Sequence, residues 1–276
     1  MKKKDLQLLL EKLNLHPSKK LGQNFLIDEN LLDFIFKTAS AQKCEHIIEV
    51  GPGLGALTKL LLKSEADITA VEYDSRLVSY LRESINDPNF HLIHHDACKL
   101  DFHTIIPKNS NFRIIANLPY SITTPLIAKF IKMAIPPTDM LFLLQKETAE
   151  RLAATHNNKS YGSITVQIQN VYETEYLRTV PPEVFHPRPI VNSAIIRFTR
   201  KAIIPTIEER ILLNSVVRLA FSKRRKKMIN NIQPEFKEID FKSVFDNLNF
   251  DLNIRAENLT PTDYLNLTKS IILEMP

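Results

Sequence analysis

The chain has 276 residues, enough for two domains or for one large domain with an appendage. Hydrophobic residues make up 44% and charged residues 24%, which excludes intrinsic disorder, because this much apolar surface can offset the entropy of ordering. Cys44 and Cys98 are the only cysteines, so a disulfide scaffold and a Cys-rich zinc site are excluded and a reducing compartment is indicated. No apolar stretch approaches membrane-spanning length, and the basic opening Met1-Lys-Lys-Lys lacks the apolar core of a signal peptide. A cytoplasmic protein with no membrane partner is expected.

Leu6, Leu9, Leu10 and Leu13 give an amphipathic opening, and Lys19 to Leu26 interrupts helical periodicity. Asp28 can cap a helix running to about Ala39. Apolar runs at His46–Val50, Ile68–Val71, Phe90–Ile93, Phe112–Ala116 and Met140–Leu144 read as strands. Helical periodicity follows Ala56, Ser75, Thr123 and Lys146, so strands and helices alternate as βαβ units around a parallel sheet. A helix starting near Tyr161 leads to two strands, Glu173–Val180 and Ser193–Thr199, with no long helix between them, which predicts an antiparallel pair. From Ile211 through Ala220, and again at Phe241–Leu248 and Pro261–Leu273, the pattern is helical only. The expected fold is a doubly wound, mostly parallel Rossmann-like sheet domain over 1–203, with an N-terminal arm at 1–27, followed by a small all-helical domain over 204–276.

Formal net charge is +5, but it is unevenly spread. Between Arg200 and Asn230 there are nine basic residues and two acidic ones, a local excess of seven that leaves the rest of the chain at about −2. Lys223, Arg224, Arg225, Lys226 and Lys227 are consecutive. Such a run repels itself and persists most easily where phosphates relieve it, so a nucleic-acid partner is expected here rather than a merely solvated face.

Three of the five glycines fall in Gly51-Pro-Gly53-Leu-Gly55, after the strand Ile47-Ile-Glu-Val50 and before a helix. Glycine is needed where backbone turns sharply and approaches a ligand. Glu72 ends the next strand, twenty-one residues after Gly51, where a carboxylate can accept from both ribose hydroxyls. Asp96 follows the third strand and is placed to meet an adenine amino group. The pattern points to an adenosine-bearing cofactor; with Ala56 it also satisfies G-x-G-x-x-A, so a nicotinamide dinucleotide stays open.

Asn117-Leu-Pro-Tyr120 directly follows the fourth strand. Alkylation of an exocyclic amino nitrogen has a use for these groups, because that nitrogen's lone pair is delocalised into its ring. The Asn117 side chain and the Leu118 carbonyl can accept its two N–H groups and turn the lone pair outward. Pro119 stiffens the turn and biases Leu118 away from helix. Tyr120 offers a ring face to a base. Phe185, in the proline-rich Pro181-Pro-Glu-Val-Phe185-His-Pro-Arg-Pro189, could close the other face. His91, His94, His95, Asp96 and Cys98 cannot converge on one ion, since neighbours on a strand point to opposite faces, and no metal is expected.

These stretches, with Lys19-Lys-Leu-Gly-Gln-Asn-Phe-Leu26, Gln145-Lys-Glu147, Tyr161-Gly162, Ser193-Ala194 and Ala220-Phe-Ser-Lys-Arg-Arg-Lys-Lys227, run nearly end to end. Together they closely resemble the rRNA adenine N6,N6-dimethyltransferases, most of all the bacterial small-subunit (16S) enzymes. The resemblance implies a Rossmann-like methyltransferase domain using S-adenosyl-L-methionine. It places Asn24, Leu26, Gly51, Gly53, Glu72, Asp96 and Asn117 at the cofactor, and Asn117, Leu118, Tyr120 and Phe185 at the target adenine. The implied substrate is two adjacent adenosines in a hairpin near the 3′ end of 16S rRNA in the assembling small subunit, each receiving two methyls, with a monomeric enzyme. A related enzyme acting on large-subunit RNA would share the catalytic motifs. An assembly factor whose catalysis is dispensable is a further alternative; a nicotinamide oxidoreductase fits the glycine loop alone.

Overall fold

The computed structural model describes residues 3–18, 22–106 and 111–275, so Lys19, Lys20 and Leu21 of the Lys19–Leu26 stretch lie outside the described residues. The chain opens with α1 (Lys3–Lys12) and β1 (Phe25–Leu26), then α2 (Glu29–Ala39), where Asp28 Oδ1 accepts from Leu31 N at 2.7 Å. There follow β2 (His46–Val50), α3 (Ala56–Leu61), β3 (Asp67–Glu72), α4 (Ser75–Ser84) and β4 (Phe90–His94). Next come β5 (Arg113–Asn117), α5 (Thr123–Ile131), β6 (Asp139–Gln145), α6 (Lys146–Leu152) and α7 (Ser163–Val171). The last strands are β7 (Tyr172–Val180), β8 (Phe185–His186) and β9 (Ser193–Arg200). Helices α8 (Ile207–Ala220), α9 (Ile229–Ile232), α10 (Phe241–Asn247) and α11 (Pro261–Glu274) complete the chain.

Seven strands form one sheet in the order β4-β3-β2-β5-β6-β9-β7. The first five are parallel, and β9 pairs antiparallel with β6, Ser193 opposite Gln145. The mostly parallel doubly wound sheet expected from the strand–helix alternation is the fold observed. Every residue of β2 is buried, as a strand covered on both faces requires, whereas the edge strand β4 is only partly buried. Strand order reverses between β2 and β5, so the segments leaving their carboxyl ends diverge and open a crevice. A separate two-stranded ladder joins β1 to β8, with Leu26 opposite Phe185.

The chain separates into two compact units. One comprises Met1–Leu126, Pro137–Ala149 and Glu175–Thr199; the other comprises Ile127–Pro136, Glu150–Thr174 and Arg200–Pro276. The second is helical and has its own core, in which Val166 of α7 packs with Val216 and Val217 of α8 and Leu267 and Ile271 of α11. Two of its buried hydroxyls are satisfied within the unit: Tyr161 Oη donates to Leu259 O, and Tyr264 Oη donates to Ala256 O. Thr206 with Glu209 and Thr260 with Asp263 form capping boxes that start α8 and α11. None of the described helices is long and apolar enough to cross a membrane.

At the amino end of β6, Asp139 accepts from Arg113 Nη2 at 3.0 Å and from Arg197 Nε at 2.7 Å. Arg113 also donates to Glu45 at 2.8 Å and to the Ala39 carbonyl. Removing the shared carboxylate strands a buried guanidinium. Asp139→Ala is expected to cost roughly 3 kcal/mol, at the low end for a broken buried pair because Glu45 remains; urea unfolding with an unchanged slope checks it.

Candidate active site

The turn after β2 runs in the left-handed region, with φ of +71° at Gly51 and +60° at Gly53. An added Cβ would sit 3.5 Å from Pro119 Cδ at Gly51 and 3.3 Å from the Phe25 ring at Gly53. The loop is therefore pressed between the Asn117–Tyr120 turn on one side and the N-terminal arm on the other, and a side chain at Gly53 would strain the backbone and crowd Phe25. Behind it lies a cavity of about 340 Å³.

Asn24, Leu26, Gly51, Gly53, Glu72, Asp96, Asn117, Leu118 and Tyr120 all line this cavity. Glu72 Oε1 accepts from Tyr73 N and Asp74 N, both at 2.8 Å, while Oε2 has only Gly53 N at 3.3 Å. A carboxylate has about four acceptor positions, so Glu72 retains capacity toward the cavity. Burial pushes its carboxyl above the usual range, and the three backbone N–H groups oppose the shift. Asp96 is fixed by its Oδ1, which accepts from Cys98 N at 2.9 Å.

Asn117 ends β5, where Asn117 Nδ2 donates to the Asn24 carbonyl at 3.3 Å. A carbonyl can only accept, so this contact commits the nitrogen end of the amide and leaves Oδ1 as the free-facing acceptor. Leu118 N donates to Leu143 O on β6, which anchors the turn to the sheet. The half-buried Tyr120 ring is tied by its hydroxyl to Ser193 Oγ at 2.7 Å. On the opposite rim, Gln23 Nε2 donates to Asp74 Oδ2 at 3.1 Å, and Arg76 grips the same carboxylate at 3.0 and 2.7 Å. Arg76 and Gln23 hold the Asp74 carboxyl down at about 2. The arm thus spans the cavity from Asp74 to Asn117.

Phe185 is not among the cavity-lining residues. It is 3% exposed and packs with Leu26, Leu31 and Val180, so its ring is covered and it backs the arm through its ladder with Leu26. Lys223, Arg225, Lys226 and Lys227 are exposed on the turns after α8 in the helical unit. Arg224 is partly engaged, donating to the Lys159 carbonyl at 2.7 Å and lying 5.9 Å from the centroid of the Phe221 ring. The histidines disperse: His91 meets Asp67, His94 the Tyr73 carbonyl and His95 the Asp96 carbonyl. Among the described residues no group of three or more His, Cys, Asp or Glu could hold a metal.

Sequence reasoning assigned no role to Glu49, Gln23 or Tyr73, which also line the cavity. Glu49 is fully enclosed beneath the glycine loop, with Thr58 Oγ1 donating to it at 2.6 Å. Burial, aided by the nearby Glu72 charge, pushes its carboxyl up to about 8 against the pull of that hydrogen bond. Its only signal was an acid inside an apolar strand run.

The strand order and the cavity at its reversal define a Rossmann-like methyltransferase fold. A dimethyladenosine transferase from Plasmodium falciparum has the same fold, with a TM-score of 0.74 and 25% identity over 91% of this chain and 98% of that one. The 23S rRNA methyltransferase ErmE, at 24% identity, matches with a TM-score of 0.66 over 90% of this chain and 100% of its own. The chain belongs to the ribosomal RNA adenine dimethylase family, whose model matches residues 14–273. It is 39% identical to the ribosomal RNA small subunit methyltransferase A of Legionella pneumophila (strain Corby), over 92% of this chain and 98% of the relative. The Clostridium acetobutylicum protein of the same name is 35% identical, over 98% and 99%.

The raised Glu49 pKa has a definite sign in stability. The unfolded chain releases this proton near 4.5 and the folded one near 8, so the carboxyl destabilises the fold progressively as pH rises between those values. Glu49→Gln keeps an acceptor for Thr58 without the charge. Its melting temperature should match the parent near pH 4.5 and exceed it increasingly toward pH 8 in thermal scans; a gap that shrinks with pH would contradict the assignment.

Proposed function

We propose that the cavity binds S-adenosyl-L-methionine and that the enzyme transfers methyl groups to the N6 atoms of two adjacent adenosines in a hairpin near the 3′ end of 16S rRNA, within the assembling small subunit. The observation that carries this reading is that the Gly51–Gly53 cradle, Glu72 and the Asn117 amide line one cavity. The glycine spacing alone admits a nicotinamide dinucleotide, but hydride transfer has no use for the Asn117–Tyr120 turn that lines the same cavity.

In this reading Gly51 and Gly53 admit the cofactor's backbone-facing edge, Glu72 receives the ribose hydroxyls, and Asp96 receives the adenine amino group. Asn24 and Leu26 close the cavity from the arm. When bound, the cofactor supplies an electrophilic methyl group. The chain's part is to hold the target amine: Asn117 Oδ1 and the Leu118 carbonyl accept its hydrogens and localise its lone pair, and Tyr120 meets the ring of the base. Positioning and polarisation suffice against a sulfonium electrophile, so no general base is required before attack, and the methylated nitrogen gives up its extra proton to water afterward. Phe185 supports capture of the base through Leu26 and the arm. The base must leave its stack to enter, which favours loop adenosines. Lys223, Arg224, Arg225, Lys226 and Lys227 of the 204–276 region supply the contact to RNA phosphates.

Incubation with S-adenosyl-L-methionine and undermethylated small subunits, followed by nucleoside analysis, should yield N6,N6-dimethyladenosine at two neighbouring positions. No product there, with product in a parallel incubation on large subunits, would reassign the substrate. Asn117→Ala should lower turnover at least a hundredfold while leaving the fold intact by circular dichroism, and full activity would refute amine polarisation. Neutralising Arg225 and Lys226 together should make the slope of log binding constant against log salt shallower by about two, at roughly one per lost phosphate contact.

A further inference from the structure

The proposal that Tyr120 forms the platform for the target base leaves open what holds its ring, and the fold answers from a residue 73 positions away. Ser193 is fully buried at the start of β9, and its Oγ lies 2.7 Å from the Tyr120 hydroxyl. Both ends of this contact refer to one strand. Leu118 N, two residues before Tyr120, donates to Leu143 O of β6, and Ser193 stands opposite Gln145 of the same strand in the antiparallel register. Lys146 N donating to Asn192 O locks that pairing at its end. The ring is thus fixed through its backbone by the turn and through its hydroxyl by Ser193, with β6 as the common frame. An aromatic side chain ordered in advance does not lose its rotational freedom when a ligand arrives.

We infer that Ser193 is a positioning residue for the target base: its hydroxyl holds the Tyr120 ring in the orientation that receives an adenine, without touching substrate itself. The inference rests on the reading of Tyr120 as the platform. It has a consequence for the order of methyl transfers. A base that already carries one methyl has a single N–H left for Asn117 and Leu118, so its alignment depends more on the ring beneath it. Loosening the ring therefore penalises the second transfer more than the first.

The test compares the parent with Ser193→Ala, Ser193→Thr, Tyr120→Phe, the Ser193→Ala/Tyr120→Phe pair and Tyr120→Ala, on undermethylated small subunits. Ser193→Ala and Tyr120→Phe should each raise KM for the subunit three- to tenfold and raise the share of N6-monomethyladenosine in the product. S-adenosyl-L-methionine affinity should be unchanged in both. Because the two variants break the same contact, the pair should be no worse than either alone. Ser193→Thr, which keeps a hydroxyl, should restore the product ratio. Compared at equal total methyl incorporation, less folded enzyme leaves the mono-to-dimethyl ratio untouched, and Tyr120→Phe tests the same contact with Ser193 in place. Multiplying effects in the pair, or an unchanged mono-to-dimethyl ratio in the single variants while Tyr120→Ala is impaired, would overturn the tether. An unimpaired Tyr120→Ala would instead remove the platform reading, and the inference with it.

Discussion

An amide side chain has a donating end and an accepting end, and a protein that needs one of them must occupy the other. At Asn117 the Asn24 carbonyl does this, taking the nitrogen and turning the oxygen loose. That contact ties the arm to the end of β5 and so joins two sides of the cavity. The arm is in turn held at its other side by Gln23 on Asp74, whose backbone N–H is bound to Glu72. A displacement of the arm would therefore be felt at the Glu72 carboxylate and at the Asn117 amide alike, through five hydrogen-bonding residues.

The sheet makes this economical. Reversal of strand order between β2 and β5 brings two loops together that are about sixty-five residues apart in sequence, and Gly51 comes so close to Pro119 that a Cβ would fill the gap. Proline there serves two ends. It keeps Leu118 out of helical conformation, and its ring supplies the surface against which the glycine turn packs. The packing of one motif on the other is why the two together are more specific than the glycine loop, which alone points only to an adenosine-bearing cofactor.

Most of the fold was legible because fully covered parallel strands are predominantly apolar, and the breaks between His46–Val50, Ile68–Val71 and Met140–Leu144 are sharp. Helix caps were equally plain: Asp28 does what its position announced. What the sequence withheld was partnership at a distance. Helical periodicity shows that α7 has an apolar face but does not say that the face belongs with α8 and α11, whose residues follow forty or more positions later. Glu49 reads as an acid in a strand, and its pressure toward protonation exists only once Thr58 and Glu72 are around it. Phe185 shows the same limit from the other side: four prolines indicate a stiff loop, but not which side of the loop faces the cavity.

Charge divides the labour within the chain. The cavity is lined by Glu49, Glu72 and Asp96 and, among the described residues, by no lysine or arginine, whereas lysines and arginines are concentrated and exposed after α8 in the helical unit. In the proposed function the RNA phosphates go to that basic surface, and the base, which is neutral once turned out of its stack, goes to the cavity. In the proposed reading the acceptors at Asn117 and Leu118 call for an amino group, which cytosine and guanine carry as well as adenine, so they select for an amine and the shape of the cavity must select the base.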